Sequence, residues 1–272
     1  MKERITAAGV RRALRELASP ARARSSAWFF KAGPGEYGEG DRFLGVSVPD
    51  QRRVARRFRA LPEAGIERLL ASAFHEHRLT ALLILCDRYT RATTGQERRA
   101  LFRLYMRRLE RVDNWDLVDT SAPVIVGGWL ATRPRGLLDR MAASRRLWTR
   151  RVAMLATFHS IRAGDATDAL RIARALRDDP HDLIHKAVGW MLREVGKRVG
   201  AEPLRGFLRA HAAHMPRTML RYAIERLPAT ERARWLAAGV RRATPPRPRA
   251  AAARAGRTAR RPRSSRRRSA AR

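Results

Sequence analysis

Lysine is scarce in this 272-residue chain: of 59 basic side chains only Lys2, Lys31, Lys186 and Lys197 are lysines. Cysteine occurs once, at Cys86 in the apolar run ALLILCDRY, so no internal disulfide framework exists and the thiol reads as a reduced core residue. With that one cysteine and seven scattered histidines there is no metal-ligand spacing, and no metal or other cofactor is expected. Long apolar runs are missing too. No 18-residue apolar stretch crosses the body, and the opening MKERITAAGVRRALRELASP lacks a signal-peptide core, so a soluble, cytoplasmic protein without a membrane partner is expected. No alternating apolar and polar pattern reads as a strand. Base-reading modules are absent as well: there is no zinc finger, no heptad-bearing basic region and no helix-turn-helix that outcompetes the pattern described below.

Acidic residues are few, 25 against 59 basic ones, for a formal net charge of +34. Residues 241–272 hold 13 arginines, no acid and no apolar residue larger than alanine or proline, and so cannot bury enough surface to offset their ordering entropy. They read as a disordered basic tail after a folded body over 1–240. Taking those 13 charges from +34 leaves +21 on the body. A charge of that sign and size favours a nucleic acid as partner, ahead of a membrane surface or an acidic protein. Arginine offers a planar donor fork for phosphate oxygens, although a GC-rich genome enriches it for no functional reason.

Within the body, residues 3–18 read as an amphipathic helix stopped by Ser19-Pro20. The stretch SSAWFFKAGPGEYGEGDRFLGVSVPD follows, irregular and aromatic, and either packs on the first helices or faces a ligand. After Pro49 come helices over 50–59, 63–73, 76–93, 96–111, 114–130, 134–142, 146–163, 166–177, 181–199, 201–211, 216–227 and 229–239, separated by Pro62, Gly95, Pro134, Gly164, Pro180, Gly200, Pro216 and Pro228. The apolar centres Ala81, Val118, Val152, Ala187 and Leu220 recur at steps of 37, 34, 35 and 33 residues, the size of a two-helix repeat. Stacked repeats of this kind make an all-α, HEAT-like solenoid with one concave face; an irregular helical bundle is the other outcome. A basic concave face would follow a duplex by phosphate contacts, with little dependence on base sequence.

The segment Arg111-Val112-Asp113-Asn114-Trp115-Asp116-Leu117-Val118-Asp119-Thr120 carries the most specific signal. Asp113 or Asn114 caps the helix, Asp116 suits its positive end, and Trp115 and Asp119, four apart, share a face. An aromatic plate and a carboxylate are then presented together. The plainer alternative makes Trp115 core and pairs Asp119 with an arginine. Later helices carry tryptophans at a similar level, in Leu147-Trp148-Thr149-Arg150-Arg151 and Gly189-Trp190-Met191-Leu192-Arg193-Glu194.

Over roughly residues 10–238 the chain resembles the DNA alkylation repair glycosylases with HEAT-like repeats. The likeness rests on Phe29-Phe30-Lys31, Gly45-Val46-Ser47-Val48-Pro49, the run from Asn114 to Asp119, Leu147 to Arg151, and Lys186 to Gly196. It implies a solenoid around duplex DNA that excises cationic alkylated purines, 7-alkylguanine and 3-alkyladenine, from a still-stacked lesion. By motif, Asp119 resembles the catalytic carboxylate, Trp115 and Trp190 the walls beside the lesion sugar, and Arg151 the arginine on the nearby phosphate backbone. Arg150 is its neighbour, and Lys186, one turn before Trp190, reads as a further backbone contact rather than a Schiff-base lysine. The expected activity is therefore a monofunctional glycosylase, a nucleoid-associated monomer; a non-catalytic scaffold for distorted or branched DNA is the competing class.

Overall fold

The computed structural model describes residues 5–240. The helices are α1 (Ala7–Glu16), α2 (Pro20–Phe29), α3 (Val48–Arg57), α4 (Glu63–Leu70), α5 (His75–Arg91), α6 (Gly95–Arg107), α7 (Trp115–Ala122), α8 (Gly128–Leu130), α9 (Gly136–Ala142), α10 (Leu147–Ala156), α11 (Phe158–Arg162), α12 (Thr167–Ala175), α13 (Asp182–Arg198), α14 (Ala201–His211), α15 (Arg217–Ile224) and α16 (Ala229–Val240). Among the described residues no strand forms, and a single isolated bridge joins Arg42 to Phe74. The basic tail expected over 241–272 lies outside the described residues.

Local chemistry sets the helix starts. Thr94 and Glu97 form a reciprocal capping box on α6, the side chains of Thr6, Ser19 and Ser47 cap α1, α2 and α3, and Pro62 and Pro216 stand at the N-caps of α4 and α15. Two expectations need correction. Ser19-Pro20 starts a helix instead of only ending one, because proline in the first turn forfeits no intrahelical hydrogen bond. The expected helix 146–163 is divided into α10 and α11 at Thr157. The expected helix 114–130 does run through, by way of a π-helical turn at Pro123–Gly127, where proline removes a donor from the α ladder.

The helices stack as a solenoid. One layer runs α1, α3, α5, α7, α10, α13, α15, each packed on the next, while α4, α6, α9, α12, α14 and α16 back it on the other side. Ala81, Val118, Val152, Ala187 and Leu220 fall on α5, α7, α10, α13 and α15, one per successive member of the layer, and all five are fully buried. The repeat period thus marks the stacking seam. Where α13 meets α15 the contact requires glycine: a Cβ on Gly189 would lie 2.5 Å from the Met219 carbonyl oxygen.

Candidate functional site

Asn114 starts α7 with extended backbone, and its side-chain oxygen accepts from the Trp115 amide at 2.8 Å. One turn of helix then brings Trp115 and Asp119 to the same face, as their spacing predicts. Both line a cleft of about 650 Å³, and Trp190 from α13 lines it too. Ala55 of α3 and Leu83, Cys86 and Thr90 of α5 belong to the same wall, so the helical layer bends around this space. Burial pushes the Cys86 thiol up to about 12, which leaves it an inert neutral group.

Asp119 is held from below. Arg151 on α10 donates from Nε to Oδ1 at 2.9 Å and from Nη2 to Oδ2 at 2.8 Å, and its Nη1 donates to the Leu183 carbonyl at 2.5 Å. One guanidinium thereby ties α7, α10 and α13 together, with the arginine side chain only 5% exposed and the aspartate 17%. Burial raises the Asp119 pKa above the ordinary carboxylate value, while Arg151 opposes that rise; the two-pronged pair is the arrangement of an ionised carboxylate.

Trp115 is fixed from the N-terminal side. Phe30 stacks on it at 5.2 Å and Phe29 meets it edge-on at 5.7 Å. Tyr37 meets Trp148 edge-on at 5.9 Å, so Trp148 braces the loop and is absent from the cleft wall. Trp190 packs against Phe158, with ring centres 6.0 Å apart.

Residues 10–227 match the sequence profile of the DNA alkylation repair enzyme family. The chain belongs to that family. A solved structure described as a predicted DNA alkylation repair enzyme from Enterococcus faecalis superposes with a TM-score of 0.61 at 17% identity, over 78% of this chain and 97% of that one. At such identity the likeness is one of fold. No curated protein matches the sequence.

In this family member, four of the six residues singled out by sequence come together: Trp115, Asp119 and Trp190 on the cleft, and Arg151 beneath it. Arg150 turns elsewhere, donating to both Asp179 oxygens, Nε at 2.5 Å and Nη2 at 3.2 Å, and to the Ser144 and Arg145 carbonyls, each at 3.0 Å. Lys186 pairs with Asp182 at 2.9 Å, one turn back on α13, and is half-buried and outside the cleft wall. Among the described residues no group of three or more His, Cys, Asp or Glu side chains could hold a metal. Nor is any described helix long and apolar enough to cross a membrane.

Sequence reasoning missed a polar hub behind Trp115. His75 bridges Asp41, from Nδ1 at 3.0 Å, and Asp116, from Nε2 at 2.8 Å, while Phe30 and Phe43 cover its ring. Fully buried Arg78 pairs with Asp41 and Asp113, and Glu76 accepts from the Leu44, Gly45 and Val46 amides. Burial alone would lower the His75 pKa, but the flanking carboxylates outweigh it and raise it to about 9, so the imidazolium is the resting form. The signal was the run His75-Glu76-His77-Arg78: four consecutive polar residues in a helix whose continuation is apolar, and all four are buried.

Proposed function

We propose that this chain is a monofunctional DNA glycosylase that removes cationic alkylated purines, such as 7-alkylguanine and 3-alkyladenine, from duplex DNA. The observation that carries the reading is the half-buried carboxylate of Asp119 on a cleft wall shared with two tryptophans, in a strongly basic member of a DNA alkylation repair family. The 1–240 body supplies the chemistry, and residues 241–272 add nonspecific attraction to the phosphate backbone.

The side chains suit this reaction. An N7- or N3-alkylated purine carries a positive charge, so breaking its bond to C1′ sends the bonding electrons to the base, which leaves neutral without a proton from the protein. Positive charge develops instead on C1′ and the ring oxygen. Asp119 stabilises that charge, orients the attacking water, and takes the proton released when water adds to C1′. Trp115 and Trp190 pack on the deoxyribose and add cation–π attraction as the charge grows. The product is an abasic site. Among the described residues no lysine lines the cleft, so the cleft wall presents no amine for a Schiff-base route to strand cleavage.

Arg151 is assigned first to Asp119. It keeps the carboxylate ionised in a buried place and fixes both oxygens, and it reaches a phosphate only by giving up that pair. This pairing is also the one observation that favours a non-catalytic scaffold for distorted DNA, since it neutralises the carboxylate in the free protein. Base release decides between them. Incubation with methylated duplex DNA should liberate 7-methylguanine and 3-methyladenine and leave alkali-labile sites; Asp119→Asn should bind the same DNA yet release almost nothing. Equal single-turnover release by the two proteins would remove Asp119 from the mechanism, and no release by the native chain would leave the scaffold.

A further inference from the structure

The arginines around the cleft divide into two groups. Those read from sequence as backbone contacts are occupied within the protein: Arg151 by Asp119 and Leu183, and Arg150 by Asp179 and two carbonyls. Arg52 and Arg56 on α3 and Arg162 at the end of α11 line the cleft that holds Asp119, Trp115 and Trp190. All three are exposed, and none of their guanidinium groups makes an ion pair or a hydrogen bond with another described residue; on Arg56 only the backbone carbonyl is engaged, accepting from Arg59 Nε at 3.3 Å. Arg162 is steadied only by the face of Phe158, 4.2 Å away, which leaves its donors unused.

The acids on the same wall are all matched inside the fold. Asp87 pairs with Arg59 and Arg91, Asp116 with His75 and Asp119 with Arg151. The uncompensated charge of the cleft is therefore positive and lies on its rim. Arg52 acts on the Cys86 thiol in the cleft wall, opposing the rise that burial causes there. Arg52 and Arg56 are one turn apart and share an edge of α3, and Arg162 comes from a helix much later in the chain, so the three bracket the opening.

We infer that Arg52, Arg56 and Arg162 form a phosphodiester-binding clamp that seats the attacked strand over Asp119, the role that sequence motifs had pointed to Arg150 and Arg151. The inference rests on DNA being the substrate, and deepens that reading by naming the contacts. Three unpaired guanidinium groups supply forked donors to nonbridging phosphate oxygens without disturbing the Asp119–Arg151 pair. Sequence alone did not separate them from the other arginines, because only the fold decides which arginines have acids beside them.

The test uses the full chain with Arg52→Ala/Arg56→Ala, Arg162→Ala, and a control of equal charge change, Arg98→Ala/Arg99→Ala, on exposed positions outside the cleft wall. Binding to unmodified duplex is measured over a salt series. The slope of log K against log salt should become shallower by about two for the α3 pair and about one for Arg162→Ala, since each lost phosphate contact removes roughly 0.9. The control should keep the native slope. Single-turnover excision should fall at limiting DNA and recover at saturating DNA, the signature of a binding defect. Native slopes in the cleft variants, or an equal loss in the control, overturn the clamp. If the native chain releases no base while the cleft variants still lose slope, the clamp stands and the glycosylase reading falls.

Discussion

Arg151 grips Asp119 with two parallel hydrogen bonds, at 2.9 Å and 2.8 Å, and anchors itself on the Leu183 carbonyl of a third helix. A buried pair of this kind is worth little against an apolar replacement, but removing one partner strands the other. Arg151→Ala should therefore cost about 3–5 kcal/mol in denaturant unfolding. Arg151→Lys should recover part of that, since lysine keeps the charge and loses the fork. In the Asp119→Asn background the cost of Arg151→Ala should shrink, because no buried carboxylate is left alone; additive losses in the double-mutant cycle would show that the pair is energetically idle.

The same burial sets a pH dependence for the chemistry. Asp119 must be ionised to stabilise a sugar cation, and its pKa is raised by burial against the opposing pull of Arg151. Single-turnover excision should thus fall on the acid side with a midpoint above that of an ordinary aspartate, while DNA binding persists through the same range. A rate that is flat down to the usual aspartate pKa would contradict the assignment.

His75 gives an independent effect on the alkaline side. Its pKa of about 9 in the folded protein exceeds the 6.5 of an unperturbed histidine, so the imidazolium stabilises the fold fully below pH 6.5. That contribution is lost as pH rises through about 9. Its size is on the order of 3 kcal/mol for a buried group shifted this far. The groups facing it are Asp41 and Asp116, with Phe30 and Phe43 over the ring and Arg78 beyond Asp41. Unfolding free energies measured from pH 6 to pH 10 should decline for the native chain and stay nearly level for His75→Gln. Parallel curves would mean that the imidazole does not titrate in this window.

These residues also show what sequence can carry. Trp115 and Asp119 were legible because four residues along a capped helix fix a shared face, and the seam from Ala81 to Leu220 was legible because stacked hairpins repeat their buried centres. His75 was not. Its partners Asp41 and Asp116 lie 34 and 41 residues away, and the period of the chain does not encode side-chain pairs across helices. Proline misled at Pro20 for a local reason: the residue that breaks a helix interior is favoured in a first turn, and composition around it looked like loop. The Arg150–Asp179 and Arg151–Asp119 pairs were hidden by abundance, since with so many arginines any acid has several candidate partners.

Gly189 links the packing to the site. An added Cβ would lie 2.5 Å from both the Met219 carbonyl oxygen and the Tyr222 Cβ, neither of which can rotate away. Gly189→Ala should force α13 from α15 and carry Trp190, the next residue, with it. The expected cost is about 1–3 kcal/mol, read as a lowered Tm. Excision should fall more than duplex affinity does, because the cleft wall moves while the rim arginines on α3 stay in place. An unchanged Tm would mean that the helices have room that their present contact does not show.

The role proposed for the 13 arginines after residue 240 differs in its physics from that of the cleft. With no acid or aromatic residue among them, the attraction to DNA proposed for them would act through counterion release. A chain ending at Val240 should bind duplex more weakly at low salt and with a shallower salt slope, and the deficit should close as salt screens the tail. At saturating DNA its single-turnover excision should equal that of the full chain, since Asp119, Trp115 and Trp190 are untouched. Unchanged affinity and slope would make the tail dispensable for binding; a lower rate at saturation would instead give it a part in the reacting complex.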